Sequence, residues 1–259
     1  MSSDRIAQCR WPPLSATVDA ALREATRFVF AEVDPVGIIA TGSIIRGQGH
    51  GSSDLDIYVI HEAPFRRRVQ QFFRDVPAEI FINPPHAVRG YFVEEHRDGR
   101  PITAHMLATG FVVYSSAAIV EELRAEAREW WERPTLLSEA DATRERYGIA
   151  TRLEDGADVT HADSRTATML LNQAVASMLE FFCLTKAGRV PRSKELLALT
   201  EALDSEVGRL ATAFFSAATT TERLQAAEAL ADRTIGARGF FPWDSGPDSA
   251  PVLVATSRP

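Results

Sequence analysis

Cysteine is scarce here: Cys9 and Cys183 are the two in 259 residues. Such distant, isolated thiols form neither a disulfide scaffold nor a metal-ligand cluster. They read as a loop thiol and a buried helix residue. Basic charge is short as well. Lys and Arg number 28 against 35 Asp and Glu, a net charge of −7. That balance argues against a general nucleic-acid binder, which would present a basic surface. It does not exclude a nucleotide, because a bound metal brings its own charge, and it weakly favours a cationic small substrate. No apolar run is expected to reach the ~20 residues that cross a bilayer, so no membrane is expected as a partner. Met1-Ser-Ser-Asp-Arg lacks an apolar signal segment, which sets the expectation of a cytoplasmic protein. Internal repeats and low-complexity tracts are missing too.

The chain has an ordinary globular composition, 45% hydrophobic and 24% charged, and is long enough for one large domain or two modest ones. Leu14 to Val33 predicts an amphipathic helix, with Val18, Leu22, Ala25, Phe28 and Val29 at helical spacing and Asp34-Pro35 as its stop. Val36 to Ala40 suits a buried strand. Pro64 to Arg74 predicts another helix, with Phe65, Val69, Phe72 and Phe73 inward and Arg66-Arg67-Arg68 as a solvated face. Pro77 to Asn83 predicts a third strand, ended by Pro84-Pro85. Residues 86 to 110 look helical and irregular, Phe111 to Ser115 forms a closing strand, and Ala117 to Arg133 a further helix.

From Ser138 onward the pattern is helical. Ser138, with Asp141 three residues on, resembles a capping box. Asp163 to Ala187 ends at Gly188, as a C-cap glycine should. Ser193–Leu203, Glu206–Ala217 and Thr220–Ile235 complete a five-helix bundle. The expected division is residues 1–134, residues 135–240, and a turn-rich tail over 241–259.

The chemistry concentrates between Thr41 and Ile60, where Gly42-Ser43 precedes a glycine-rich loop and then Ser52-Ser53-Asp54-Leu55-Asp56. On a strand, Asp54 and Asp56 leave the same face, while Leu55, Ile57 and Val59 fill the other. Two adjacent carboxylates repel unless something positive lies between them. A hard divalent cation fits, since Mg²⁺ takes one or two carboxylates plus phosphate oxygens. Gly42 and Ser43 offer backbone N–H groups at a close-approach turn, a suitable phosphate cradle. These residues together suggest a metal–nucleotide site.

The same combination, an apolar strand, Gly-Ser, a loop and Asp-x-Asp about ten residues later on an apolar strand, closely resembles the signature of the DNA polymerase beta-like nucleotidyltransferase superfamily. The resemblance implies an α+β catalytic domain with a small mixed sheet over 1–134. It implies two Mg²⁺ ions held by Asp54 and Asp56, with a nucleoside triphosphate (ATP favoured) as co-substrate. It also implies a third carboxylate from a neighbouring strand, for which Glu79 is the candidate and Asp75 the substitute. Ser43 and the Gly42 backbone would hold phosphates, with Arg46 and Ser53 in the same loop. His50 lies there too, without an assigned role.

The two-part layout looks like that of the aminoglycoside nucleotidyltransferases, in which an all-α, substrate-binding bundle follows the catalytic domain. There a Gly-Arg stretch followed by Ser-Lys joins two bundle helices. Gly188-Arg189-Val-Pro-Arg192-Ser193-Lys194 is similar, with a small spacing difference, so Lys194 and Arg192 could reach the triphosphate by this resemblance. Glu154, Asp155 and Asp158 cluster on one predicted helix end. Glu154 and Asp158 share a face, where like charges are unfavourable unless a cation binds. They could contact an aminoglycoside's ammonium groups, supply the base in place of Glu79, or be a solvated helix end.

The expected activity is transfer of a nucleoside monophosphate, AMP first, to a hydroxyl of a small molecule such as an aminoglycoside, by a monomer or homodimer. The alternatives are a same-fold enzyme modifying a protein or an RNA end, and a non-catalytic nucleotide-binding regulator. The helical half lacks an Arg followed about six residues later by His, a pattern that would mark a paired nuclease partner.

Overall fold

A computed structural model describes residues 2–49 and 53–247. The chain divides into two compact units, Met1–Thr135 and Leu136–Pro259.

The first unit is built on a five-stranded mixed sheet. Its strands are β1 (Pro35–Thr41), β2 (Leu55–His61), β3 (Arg67–Phe73), β4 (Val76–Asn83) and β5 (Phe111–Ser115), in the spatial order β3-β4-β2-β1-β5. β2 is central, antiparallel to β1 and parallel to β4. On one face, Ile38, Ala40, Leu55, Ile57, Val59, Ile80 and Ile82 pack with Leu22, Ala25 and Val29 of helix α2 (Ala16–Glu32), which follows a short α1 (Ser2–Ala7). The opposite face carries Ile39, Tyr58 and Ile60. They pack with Val88 and Phe92 of α4 (Pro85–Arg97), Leu107 of α5 (Ile102–Thr109) and Leu123 of α6 (Ile119–Glu132). A central strand buried on both sides must be apolar on both sides, so a polar residue inside it requires a reason. The remaining helix of this unit is the four-residue α3 (Gly42–Ile45).

Residues 64 to 74 correct the expected helix. Arg67–Phe73 is the edge strand β3, antiparallel to β4, and Phe72 and Phe65 are exposed rather than inward. Val69, Gln71 and Phe73 take the α2 side while Arg68, Gln70 and Phe72 take the other, the two-residue period of a strand. The hairpin closes on Arg74 and Asp75, both at positive φ (49° and 63°). That is the backbone of a tight hairpin turn, here without the usual Asn-Gly. The arginine run is likewise no continuous solvated face. Arg66 donates to Tyr91 Oη (3.0 Å), Arg67 pairs with Glu32 on the far side (2.7 Å), and Arg68 pairs with Glu79.

The second unit is all helical, with α7 (Glu139–Asp158), α8 (Ser164–Ala187), α9 (Leu196–Leu203) after a short 3₁₀ turn, α10 (Ser205–Ser216) and α11 (Thr220–Thr234). Its core joins Leu153, Leu171, Met178, Phe182, Phe214 and Leu230. Local sequence fixes the helix ends. Ser138 Oγ accepts from Asp141 N (3.1 Å), Gly188 ends α8 in the left-handed conformation (φ 67°), and Thr219 with Glu222 forms a full capping box. One expectation about apolar runs needs correction. By length and apolar composition α8 could cross a membrane, yet half of its most apolar stretch is buried, as in a core helix.

Candidate metal–nucleotide site

Register, rather than sequence proximity, assembles the site. Thr41 is the cross-strand partner of Asp56, Asp56 of Glu79, and Glu79 of Gln70. Directly paired residues present their side chains on one face, so these four form a row across β1, β2, β4 and β3. The row lies on the Tyr58 face, near the end where the parallel strands β2 and β4 begin. Asp54, just ahead of β2, joins from the loop. One ligand atom from each of Asp54, Asp56 and Glu79 can be chosen so that all lie within 4.8 Å of one another.

A neutral phenol lies on the same face as the row. Tyr58, two residues beyond Asp56, accepts from Asn83 Nδ2 (3.1 Å), and burial pushes its phenol well above the ordinary range. It therefore remains protonated beside the carboxylates. Glu95, at the end of α4, accepts from Thr103 N and Oγ1 (2.6 and 2.7 Å) and so anchors the start of α5. Burial raises its pKa.

The approach from β1 is shaped by Gly42. Its φ is +84°, and a Cβ built there would fall 2.1 Å from Asp56 Oδ2. The glycine is thus required twice, by its backbone and by the carboxylate pressed against it. Ser43 Oγ donates to Ser53 Oγ (3.3 Å), tying the two ends of the loop together. The leading N–H groups of α3 have no intrahelical partner by geometry. Arg46, half-buried, is the residue that ends this turn. His50 lies outside the described residues.

These residues fit a divalent cation with a phosphate-bearing ligand. Three carboxylates supply hard oxygen donors of the type Mg²⁺ takes, and the missing side chain at Gly42 lets the Asp56 carboxylate lie against the backbone. Buried Thr41 adds a second indication. Its Oγ1 finds no hydrogen-bond partner among the described residues, although its backbone partner is Asp56, and such buried hydroxyls are ordinarily satisfied.

Glu79 sits differently from the two aspartates. It is 9% exposed, on an interior strand, and its Oε1 accepts from both Gln70 Nε2 (2.8 Å) and the Arg68 guanidinium. Arg68, Gln70 and Thr41 escaped the sequence reading. The signal for the first two was their two-residue spacing, legible only once 67–73 is taken as a strand. Asp75, the substitute for Glu79, occupies the β3–β4 turn.

The remaining candidates belong to the helical unit. Arg192 and Lys194 are exposed beside the 3₁₀ turn, and Arg192 pairs with Glu195. Asp155 and Asp158 are exposed on α7. Glu154 accepts from the backbone N–H of Phe240 (3.1 Å), where the tail returns and sets Phe241 and Trp243 against Tyr147.

No family model matches the sequence, and no curated protein matches it. Among solved structures, a nucleotidyltransferase-like protein from Exiguobacterium sibiricum is similar with a TM-score of 0.50. The identity is 14%, and the match covers 82% of this chain and 73% of that one. At that identity the likeness speaks for the fold: a nucleotidyltransferase-like α+β domain followed by a helical region.

Proposed function

We propose that this protein is a metal-dependent nucleotidyltransferase that moves a nucleoside monophosphate from a nucleoside triphosphate to a hydroxyl of a small molecule. The observation that carries the reading is the convergence of Asp54, Asp56 and Glu79 within 4.8 Å, beside a glycine that leaves no room for a side chain against Asp56. In such a transfer the acceptor oxygen bonds to the α-phosphorus, the α–β bridging P–O bond breaks, and pyrophosphate leaves. Bound divalent cations would lower the pKa of the acceptor hydroxyl and neutralise charge on the leaving group. Asp54 and Asp56 hold those cations, two Mg²⁺ ions in this reading, and Glu79 completes the set or takes the acceptor proton. Ser43 Oγ and the backbone N–H groups after Gly42 orient the phosphates, with Ser53 and Arg46 steadying the loop. AMP, from ATP, is the favoured group.

The acceptor proposed first is an aminoglycoside, for whose ammonium groups the helical unit offers the carboxylates Glu154, Asp155 and Asp158. The acidic balance of the chain, −7, supports a cationic acceptor. The test offers each labelled triphosphate with Mg²⁺ to a panel of aminoglycosides, and in parallel to whole lysate. Label on a small molecule is the expected result, abolished by Asp54→Asn with Asp56→Asn. No transfer to any acceptor, together with unchanged Mg²⁺–nucleotide affinity in the double variant, overturns the reading.

A further inference from the structure

Arg68 stands where a cation is wanted. On the edge strand β3 it lies directly opposite Phe81 and diagonal to Glu79, on the same face as the carboxylate row. Its guanidinium rests over the Phe81 ring, 5.0 Å from the centroid, and takes Glu79 Oε1. The side chain is nevertheless 61% exposed. It can turn to solvent by side-chain rotation alone, because edge-strand backbone need not move to release it. Glu79 is thus a carboxylate whose charge the fold already answers.

We propose that Arg68 is the resident counter-cation of this cluster, holding Glu79 until a nucleotide–metal complex arrives and then exchanging it for the phosphates. A guanidinium suits both partners, since carboxylate and phosphate present similar paired oxygens to its donors. Released by Arg68, Glu79 is available to the metal, with Gln70 still bonded to its Oε1. Metal and nucleotide then bind in favour of one another, because each removes the competitor of the other. Arg68 acts as a positioning residue for Glu79. The proposal rests on the metal–nucleotide reading of the site and adds to it a reason for ordered loading.

The test is Mn²⁺ binding, followed by electron paramagnetic resonance, with and without a non-hydrolysable ATP analogue. Arg68→Met keeps the stem over Phe81 and removes the charge. In the absence of nucleotide it is expected to bind Mn²⁺ about two- to fivefold more tightly, the scale of a part-exposed ion pair. With the analogue the gain disappears, so the coupling between the two ligands shrinks by at least that factor. Arg68→Lys, which keeps the charge, stays near the wild type. Gln70→Leu removes a neutral donor from the same oxygen and shifts Mn²⁺ affinity less than twofold. Equal Mn²⁺ affinity in wild type and Arg68→Met overturns the exchange while leaving the metal site intact. So does an equal gain in Gln70→Leu. Absence of Mn²⁺ binding in wild type and Arg68→Met alike overturns the metal–nucleotide reading itself, and the exchange with it.

Discussion

Gly42→Ala tests the architecture of the site most directly, because the structure supplies its own control. Two penalties meet at this position. The backbone is left-handed, φ +84°, which costs a residue with a Cβ about 1–2 kcal/mol. The added methyl also falls 2.1 Å from Asp56 Oδ2 and 3.0 Å from its Cγ. Real side chains essentially never approach so closely, so either Asp56 leaves its rotamer or β1 and β2 part at Thr41 and Asp56. Overpacking of this kind costs a further ~1–3 kcal/mol. Gly47, in the same loop, has φ +72° and nothing within 4 Å of its would-be Cβ. Gly47→Ala therefore carries the backbone penalty alone. Urea unfolding should show Gly47→Ala destabilised by about 1–2 kcal/mol and Gly42→Ala by about 2–5 kcal/mol. Mn²⁺ titration should show affinity retained in the first and reduced more than tenfold in the second, because Asp56 has been displaced. If the two variants lose equal stability and both keep Mn²⁺ affinity, the contact between Gly42 and Asp56 does not shape the site.

Two further outcomes concern the rest of the chain. Ser138→Ala removes the side chain that accepts from Asp141 N, costs about 1 kcal/mol, and should speed amide exchange in the first turn of α7 about fivefold; unchanged exchange would deny the cap any role. His61 is buried with its Nε2 3.0 Å from the Phe65 carbonyl oxygen, and burial holds its pKa below the ordinary 6.5, as it does for His96. As pH falls through 6.5 the unfolded chain takes these protons first, so stability present above that pH is lost on the way down to the folded pKa. Urea midpoints should fall between about pH 7.5 and about pH 5.5, and His61→Gln should flatten that slope. An unaltered slope in the variant would remove His61 from the account.

Local features were legible in advance wherever a residue's own backbone or its near neighbours decide the outcome. Helix α2, the strand over Pro35–Thr41 and the ends of α7 and α8 follow from apolar spacing, Ser138 and Gly188. So does the placing of Asp56 opposite Leu55, Ile57 and Val59, since alternation along a strand is a property of the chain itself, whereas Asp54 lies ahead of β2 and reaches the cluster from the loop. The stretch from Phe65 to Phe73 was misjudged because its aromatic spacing satisfies a helix as well as a strand. What decides between them is hydrogen bonding to β4, and no residue inside the stretch encodes that.

The sequence by itself determined that a Gly-Ser turn, two carboxylates and an apolar strand would occur together, because all lie within some twenty residues and obey local rules. Only the tertiary structure decided that β2 and β4 run parallel, setting Asp56 beside Glu79, and that β3 flanks them, bringing Arg68 and Gln70 onto the same carboxylate. Strand order and register arise from pairing between distant segments. A one-residue slip would have turned Glu79 to the other face and left the aspartates without a third partner.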